Sequence, residues 1–130
     1  MAADERRDAE EPVVGVLVVD DQAPFRSVAR SLVELVKGWQ VVGEAGSGEE
    51  AVALAAAIRP RVVLMDINLP GITGIEATRR IVATDPDAAV VLVSTYAADD
   101  LPDDARSCGA VGYVRKDDLT PRLLRSMLEG

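Results

Sequence analysis

Short valine-rich runs recur along the chain with helical patterns between them, and this alternation restricts the possible folds more than any other feature. The runs are Val13–Val19, Gln40–Glu44, Arg61–Asp66, Ala89–Ser94 and Gly112–Arg115. Their composition is that of strands covered on both faces, as in parallel sheets flanked by helices. In the first interval Phe25, Val28, Ala29, Leu32, Leu35 and Val36 repeat at three- and four-residue spacing. Arg26, Arg30, Glu34 and Lys37 lie on the other face, and Gly38 is the stop. A second helix opens at Ser47, a good N-cap followed by Glu49 and Glu50, and ends before Pro60. A third follows Gly74 and turns Ile75, Thr78, Ile81 and Val82 inward. A weaker fourth pattern covers about Asp100 to Ser107, with Pro102 near its start. The last has Thr120 as cap, Pro121 at the first helical position and Leu123, Leu124, Met127 and Leu128 as its inner stripe. Such an order predicts a doubly wound α/β domain with five parallel strands.

Composition narrows the chemistry. The 130 residues suffice for one core, and with aromatics at 3% it is Val, Ala, Leu and Ile that must fill it. The charged opening, MAADERRDAEE, lacks apolar periodicity; residues 1–12 read as a mobile acidic tail and 13–130 as the domain. A net charge of −8 argues against a sequence-independent grip on nucleic acid, which needs a basic stripe. There is no histidine and one cysteine, Cys108, so the usual zinc sets and an intrachain disulfide are excluded, and Cys108 reads as a small buried residue. No apolar stretch approaches ~20 residues and no signal peptide is recognisable, which predicts a cytoplasmic protein without a membrane partner.

The polar residues collect where such folds bind ligands. In an open α/β sheet of order 2-1-3-4-5 the crevice lies outside the carboxyl ends of strands 1 and 3. Strand 1 ends in Asp20 and Asp21, strand 3 in Asp66, strand 4 in Ser94 and Thr95, and strand 5 in Lys116, whereas strand 2 ends in Gly43 and offers nothing comparable. Two adjacent aspartates after a buried strand repel one another and resist desolvation. Three carboxylates and one ammonium leave an excess of negative charge that a divalent cation neutralises. Oxygen donors without His or Cys select magnesium, manganese or calcium, and few carboxylates with room for water best suit Mg2+. Singly, Asp21 is more often a helix N-cap, Lys116 a solvated charge and Ser94 a strand-end hydroxyl. Their joint occurrence on four strand ends is harder to dismiss.

The blocks VVDDQAPFR, VVLMDINLPGITGIEATRRI, VVLVSTY and GAVGYVRKDD resemble the signature blocks of bacterial response-regulator receiver domains, from about Val13 to the last helix. The resemblance implies a flavodoxin-like receiver (βα)5 fold and a two-component signalling switch that is not an enzyme in the ordinary sense. It implies that Asp66 accepts a phosphoryl group from the phosphohistidine of a sensor histidine kinase. It implies magnesium (or manganese) bound by Asp21, Asp66 and the Asn68 backbone carbonyl, with Asp20 acting through metal-bound water. Ser94 and Lys116 would bind phosphoryl oxygens, which accords with a transfer that needs positioning and charge neutralisation. Ser94 and Tyr113 would relay the change to the face of helix 4, strand 5 and helix 5, where a downstream protein or a second copy binds.

The chain departs from the family's pattern in three places. Asp117 stands where proline often follows the lysine, Thr95 where a smaller residue is usual, and Ser94 where threonine is commoner. GEAGSGEE has the glycine spacing of a phosphate-binding loop, but Glu49 and Glu50 fill its lysine and hydroxyl positions and would repel phosphate. A stand-alone receiver is the expectation, with a truncated receiver of a DNA-binding regulator as the alternative. Two rivals stay open. One is a magnesium-dependent aspartyl-phosphate phosphatase, whose D-x-D motif is absent; the other is a degenerate receiver acting only as an interaction module.

Overall fold

The computed structural model describes residues 13–129; the expected tail, residues 1–12, lies outside them. Five parallel strands, β1 (Val14–Val19), β2 (Trp39–Ala45), β3 (Val62–Asp66), β4 (Ala89–Ser94) and β5 (Gly112–Arg115), form one sheet in the order β2-β1-β3-β4-β5. Four α-helices accompany them: α1 (Ala23–Glu34), α2 (Gly48–Ile58), α3 (Gly74–Thr84) and α4 (Pro121–Glu129).

The period of two along each strand divides the core between the sheet's faces. Leu17, Val19, Val63, Met65, Val90 and Leu92 pack with Ala51, Ala55, Ile75 and Ile81 of α2 and α3. Val16, Val18, Val62, Leu64, Val91 and Val93 face the other way, onto Ala29, Val33 and Leu124 of α1 and α4. β3 and β4 are buried along their whole lengths. Caps act as expected at α2 and α4, where Ser47 Oγ accepts from Glu50 N and Thr120 Oγ1 from Leu123 N, each at 3.1 Å. α3 has a cap of its own, Thr73, whose Oγ1 accepts from Glu76 N at 3.1 Å.

Three expectations need correction. The first helix ends at Glu34, and the turn beyond it delivers Val36 rather than Leu35 to the core, leaving Leu35 72% exposed; Val28, within the helix, is 52% exposed and does not face the core as expected. β2 continues past Gly43 to Ala45, after a register shift between Val16 and Leu17 of its partner that sets Glu44 opposite Val18. The fourth helix is absent: two 3-10 turns, Ala98–Asp100 and Asp103–Arg106, take its place. Pro102 lacks the N–H a continuing helix needs and holds the residue before it extended, while Asp99, Asp100, Asp103 and Asp104 favour caps over helix interiors. The second turn brings Ala105 to the core, with Cys108 buried just beyond. No helix among the described residues is long and apolar enough to cross a membrane.

Candidate functional site

β1 and β3 run in register, Val19 beside Met65, so the next step brings Asp20 level with Asp66. Asp20 is fully buried: its Oδ1 accepts from Gln22 N at 2.8 Å and its Oδ2 lies 2.6 Å from Lys116 Nζ. Asp66, also buried, accepts from Asn68 N at 3.3 Å through Oδ1, and its Oδ2 lies 3.6 Å from the same ammonium. Asp21 is exposed at the rim. One carboxylate oxygen from each of Asp20, Asp21 and Asp66 falls within 4.8 Å of the other two. Lys116 comes from the 3-10 turn after β5, with its ammonium 4.4 Å from the Phe25 ring centroid, a cation–π contact from α1. The peptide after Lys116 is trans, since no cis bond occurs among the described residues.

The electrostatics follow from this packing. Burial, and then the nearby Asp20 charge, push the Asp66 carboxyl from 3.8 up to about 6, while Lys116 and the Asn68 amide pull the other way. One ammonium does not offset three carboxylates. Hard oxygen donors converging on a few ångströms of space fit a divalent cation. The Asp20 oxygens are engaged at 2.8 and 2.6 Å and those of Asp66 more loosely, at 3.3 and 3.6 Å, while Asp21 is exposed.

Ser94, buried at the end of β4, stands beyond Val93, the residue that pairs with Asp66, so it shares the same end of the sheet. Its Oγ accepts from Tyr96 N at 3.4 Å. The half-buried Tyr113 donates its hydroxyl to the Tyr96 carbonyl, with the Ser94 carbonyl 3.4 Å away. Tyr96 in turn donates to Asn68 Oδ1 at 3.4 Å, and Thr95 is exposed. Asp20, Asp21, Asp66 and Lys116 are thus brought into direct proximity, with Ser94, Asn68 and Tyr113 linked to the same end through Tyr96.

Several supporting residues escape a reading by periodicity. Arg26 and Arg30, on what reads as a solvated helix face, both bind Glu44 on the edge strand, with distances of 3.1 Å from Arg26 and 2.7 Å from Arg30. Hydrogen bonding from Arg30, then the charges of both arginines, hold Glu44 below the usual carboxylate range. Glu49 Oε2 accepts from Ile72 N at 3.1 Å and fixes the loop after β3. Gly71 in that loop has φ +77°, and a Cβ there would collide with Glu49; a Cβ on Gly74 would collide with the Asp66 carbonyl. The one available signal is Glu44, an acid at the end of an edge strand; Glu49 reads only as a first-turn acid of α2.

The response regulator receiver domain family matches residues 16–129. Response regulator GacA of Pseudomonas aeruginosa is 41% identical over 104 residues, which cover 80% of this chain and 49% of that protein. Response regulator UvrY of Escherichia coli K12 is 39% identical over 104 residues, covering 80% of this chain and 48% of its own length. The chain spans about half the length of these curated relatives. Among solved structures, a two-component response regulator of the LuxR family from an Aurantimonas species aligns with a TM-score of 0.80 at 35% identity, over 90% of this chain and 83% of that one. The response regulator domain of Thermotoga maritima CheB aligns at 0.79 and 30% identity, over 90% and 95% of the two chains. With sheet order, strand-end carboxylates and both kinds of similarity in agreement, this chain belongs to the response regulator receiver domain family and is the receiver of a two-component response regulator.

Proposed function

We propose that Asp66 is the phosphoacceptor of a signalling switch whose donor is the phosphohistidine of a sensor histidine kinase. The observation that carries this reading is the cluster itself: three carboxylates within 4.8 Å of one another, with Lys116 Nζ 2.6 Å from Asp20 and 3.6 Å from Asp66. An Asp66 oxygen attacks phosphorus in line with the departing imidazole nitrogen; the P–O bond forms as the P–N bond breaks, and the nitrogen keeps the bond's electron pair. Asp21, Asp66 and the Asn68 carbonyl would hold magnesium, with Asp20 engaged through water. When bound, the cation supplies charge neutralisation at the transferring group. Lys116 leaves the carboxylates to meet an incoming phosphoryl oxygen, and the Ser94 hydroxyl donates to another. Burial that raises the Asp66 carboxyl also makes its anion a better nucleophile, while leaving it mostly ionised at neutral pH.

Output follows from the same residues. Drawing Ser94 toward the phosphoryl group alters its contact with Tyr96, to which Tyr113 is bonded, and so reaches the surface of the 3-10 turns, β5 and α4. That surface binds a downstream protein or a second copy, in the cytoplasm. Incubation with acetyl phosphate and magnesium adds one phosphoryl group to the wild-type protein, and Asp66→Asn abolishes the gain by mass spectrometry. An unchanged wild-type mass supports the degenerate receiver, and rapid turnover to free phosphate supports the phosphatase; either overturns this reading.

A further inference from the structure

The loop that carries the two aspartates has no ordinary helix cap. Gln22 occupies the N-cap of α1 without a side-chain bond, and there is no acidic residue in the first turn. Besides the bond from Gln22 N to Asp20 Oδ1, the loop is held by Arg26. Its Nη1 donates to the Asp20 main-chain carbonyl at 2.6 Å, and its Nε donates to Glu44 Oε1 at 3.1 Å. Glu44 is anchored in turn by Arg30, whose Nε and Nη2 donate to Oε2 at 2.9 and 2.7 Å.

The bonded carbonyl belongs to the peptide that joins Asp20 to Asp21. A peptide is planar, so fixing its oxygen fixes the plane and with it the place of the Asp21 Cα from which the next side chain departs. Asp20 has little need of this, being held by Gln22 N and Lys116. Asp21 is exposed, and its aim depends on the backbone that precedes it. Arg26 is itself a cation beside an anionic crevice. A guanidinium released there would form a two-pronged pair with a carboxylate and compete with any metal ion. Glu44 occupies its Nε and denies it that geometry.

We propose that Arg26 is a positioning residue for the divalent-cation site: its bond to the Asp20 carbonyl aims the Asp21 carboxylate, and Glu44 keeps the guanidinium from closing on that carboxylate. The inference rests on the proposed metal site, and its sign separates it from simple electrostatics. By charge alone, removing a cation beside the site tightens Mg2+ binding. Loss of positioning weakens it, by about tenfold where an outer partner of a ligand is removed.

The test is calorimetric titration of the full chain with Mg2+. Arg26→Met weakens binding by about tenfold, and Arg26→Lys, which keeps the charge but cannot serve both acceptors, falls between that variant and wild type. Glu44→Gln also weakens binding, a change that loss of one anion gives by charge alone, so the Arg26 variants decide the sign. In an Asp21→Ala background Arg26→Met has little further effect, because the ligand it aims is gone. Melting temperatures in chelator identify any variant that has merely unfolded, and Arg26→Lys then carries the test. Unchanged or tighter Mg2+ binding in Arg26→Met, or an equal loss with and without Asp21, overturns the positioning role. A wild-type protein that takes up no Mg2+ overturns the metal site instead, and the two failures are distinct.

Discussion

The connections from β3 to β4 and from β4 to β5 leave neighbouring strands at the same end of the sheet, yet they are built to different standards. The first carries a capped helix of 11 residues with Gly74, Ile75, Ala77, Thr78 and Ile81 buried, and its entry is tied by Gly74 N to the Ile67 carbonyl at 2.8 Å and by Glu49 to Ile72. The second has two short 3-10 turns, with Arg79–Asp104 at 3.2 Å joining it to α3 across the surface. The sequences explain the contrast. Thr73 and Glu76 cap an apolar stripe in one, while four aspartates surround Leu101 and Pro102 in the other. The lesson concerns where a switch tolerates softness. The segment supporting the proposed phosphoacceptor is packed in place, and the segment next to the proposed output surface is held by few buried groups.

The largest test of this contrast is at glycine. Gly74→Ala places a methyl group against the Asp66 carbonyl, backbone that cannot move aside, and should cost about 3 kcal/mol or more by chemical denaturation. Gly109→Ala, in the second connection at φ +103° beside the movable Val82 side chain, should cost about 1–2 kcal/mol. Equal losses would remove the distinction between a rigid and a pliant crossover.

Next in size is the charge on Asp66. Its carboxyl titrates near 6 in the folded metal-free protein against 3.8 ordinarily, so the stability it confers is complete below about pH 4 and lost as pH rises through 6. Asp66→Asn should therefore stabilise the protein in chelator at pH 7.5 by about 2 kcal/mol, a gain that disappears near pH 4. A gain of equal size at both pH values would assign the effect to packing. Amide exchange sharpens the comparison without a mutation. Residues 98–107 should exchange about a hundredfold faster than the centre of α3, because exposed short turns open locally. The smallest effect is at Pro102, whose φ of −56° suits its ring. Pro102→Ala should lower stability by about 0.5 kcal/mol through the freer unfolded chain. A gain in stability together with a gain in helical circular dichroism would mean that one residue separates the two crossovers.

Most of the architecture was legible in the chain. Five valine-rich runs mark the five strands, with β4 and β5 at their expected limits, because burial on both faces leaves an unbroken apolar signature. The order in which Asp20, Asp21, Asp66, Ser94 and Lys116 occur was enough to place them at one end of the sheet. What escaped was of two kinds. The missing helix could not be read from apolar spacing, since Leu101, Ala105 and Cys108 keep a helical rhythm that proline and aspartate override. The arginines of α1 looked like surface charges because their partner, Glu44, is distant in sequence and reaches them through the register shift in β2. Periodicity reports which face a residue shares with its neighbours on the same element. It carries no information about what another strand brings to that face.

The ammonium facing the carboxylates has a consequence for how the chain assembles. Asp20 and Asp66 arrive on the first and third strands, but their counter-charge follows the fifth. A nascent chain that emerges from its amino end can lay β1 against β3 and bury both acids before Lys116 exists to meet them. Until the last strand docks, that half-built sheet carries like charges with no counter-ion from the chain. Completion of the sheet and arrival of the crevice's first counter-charge are therefore one event, and an intermediate lacking β5 is penalised by the same carboxylates that serve the finished molecule.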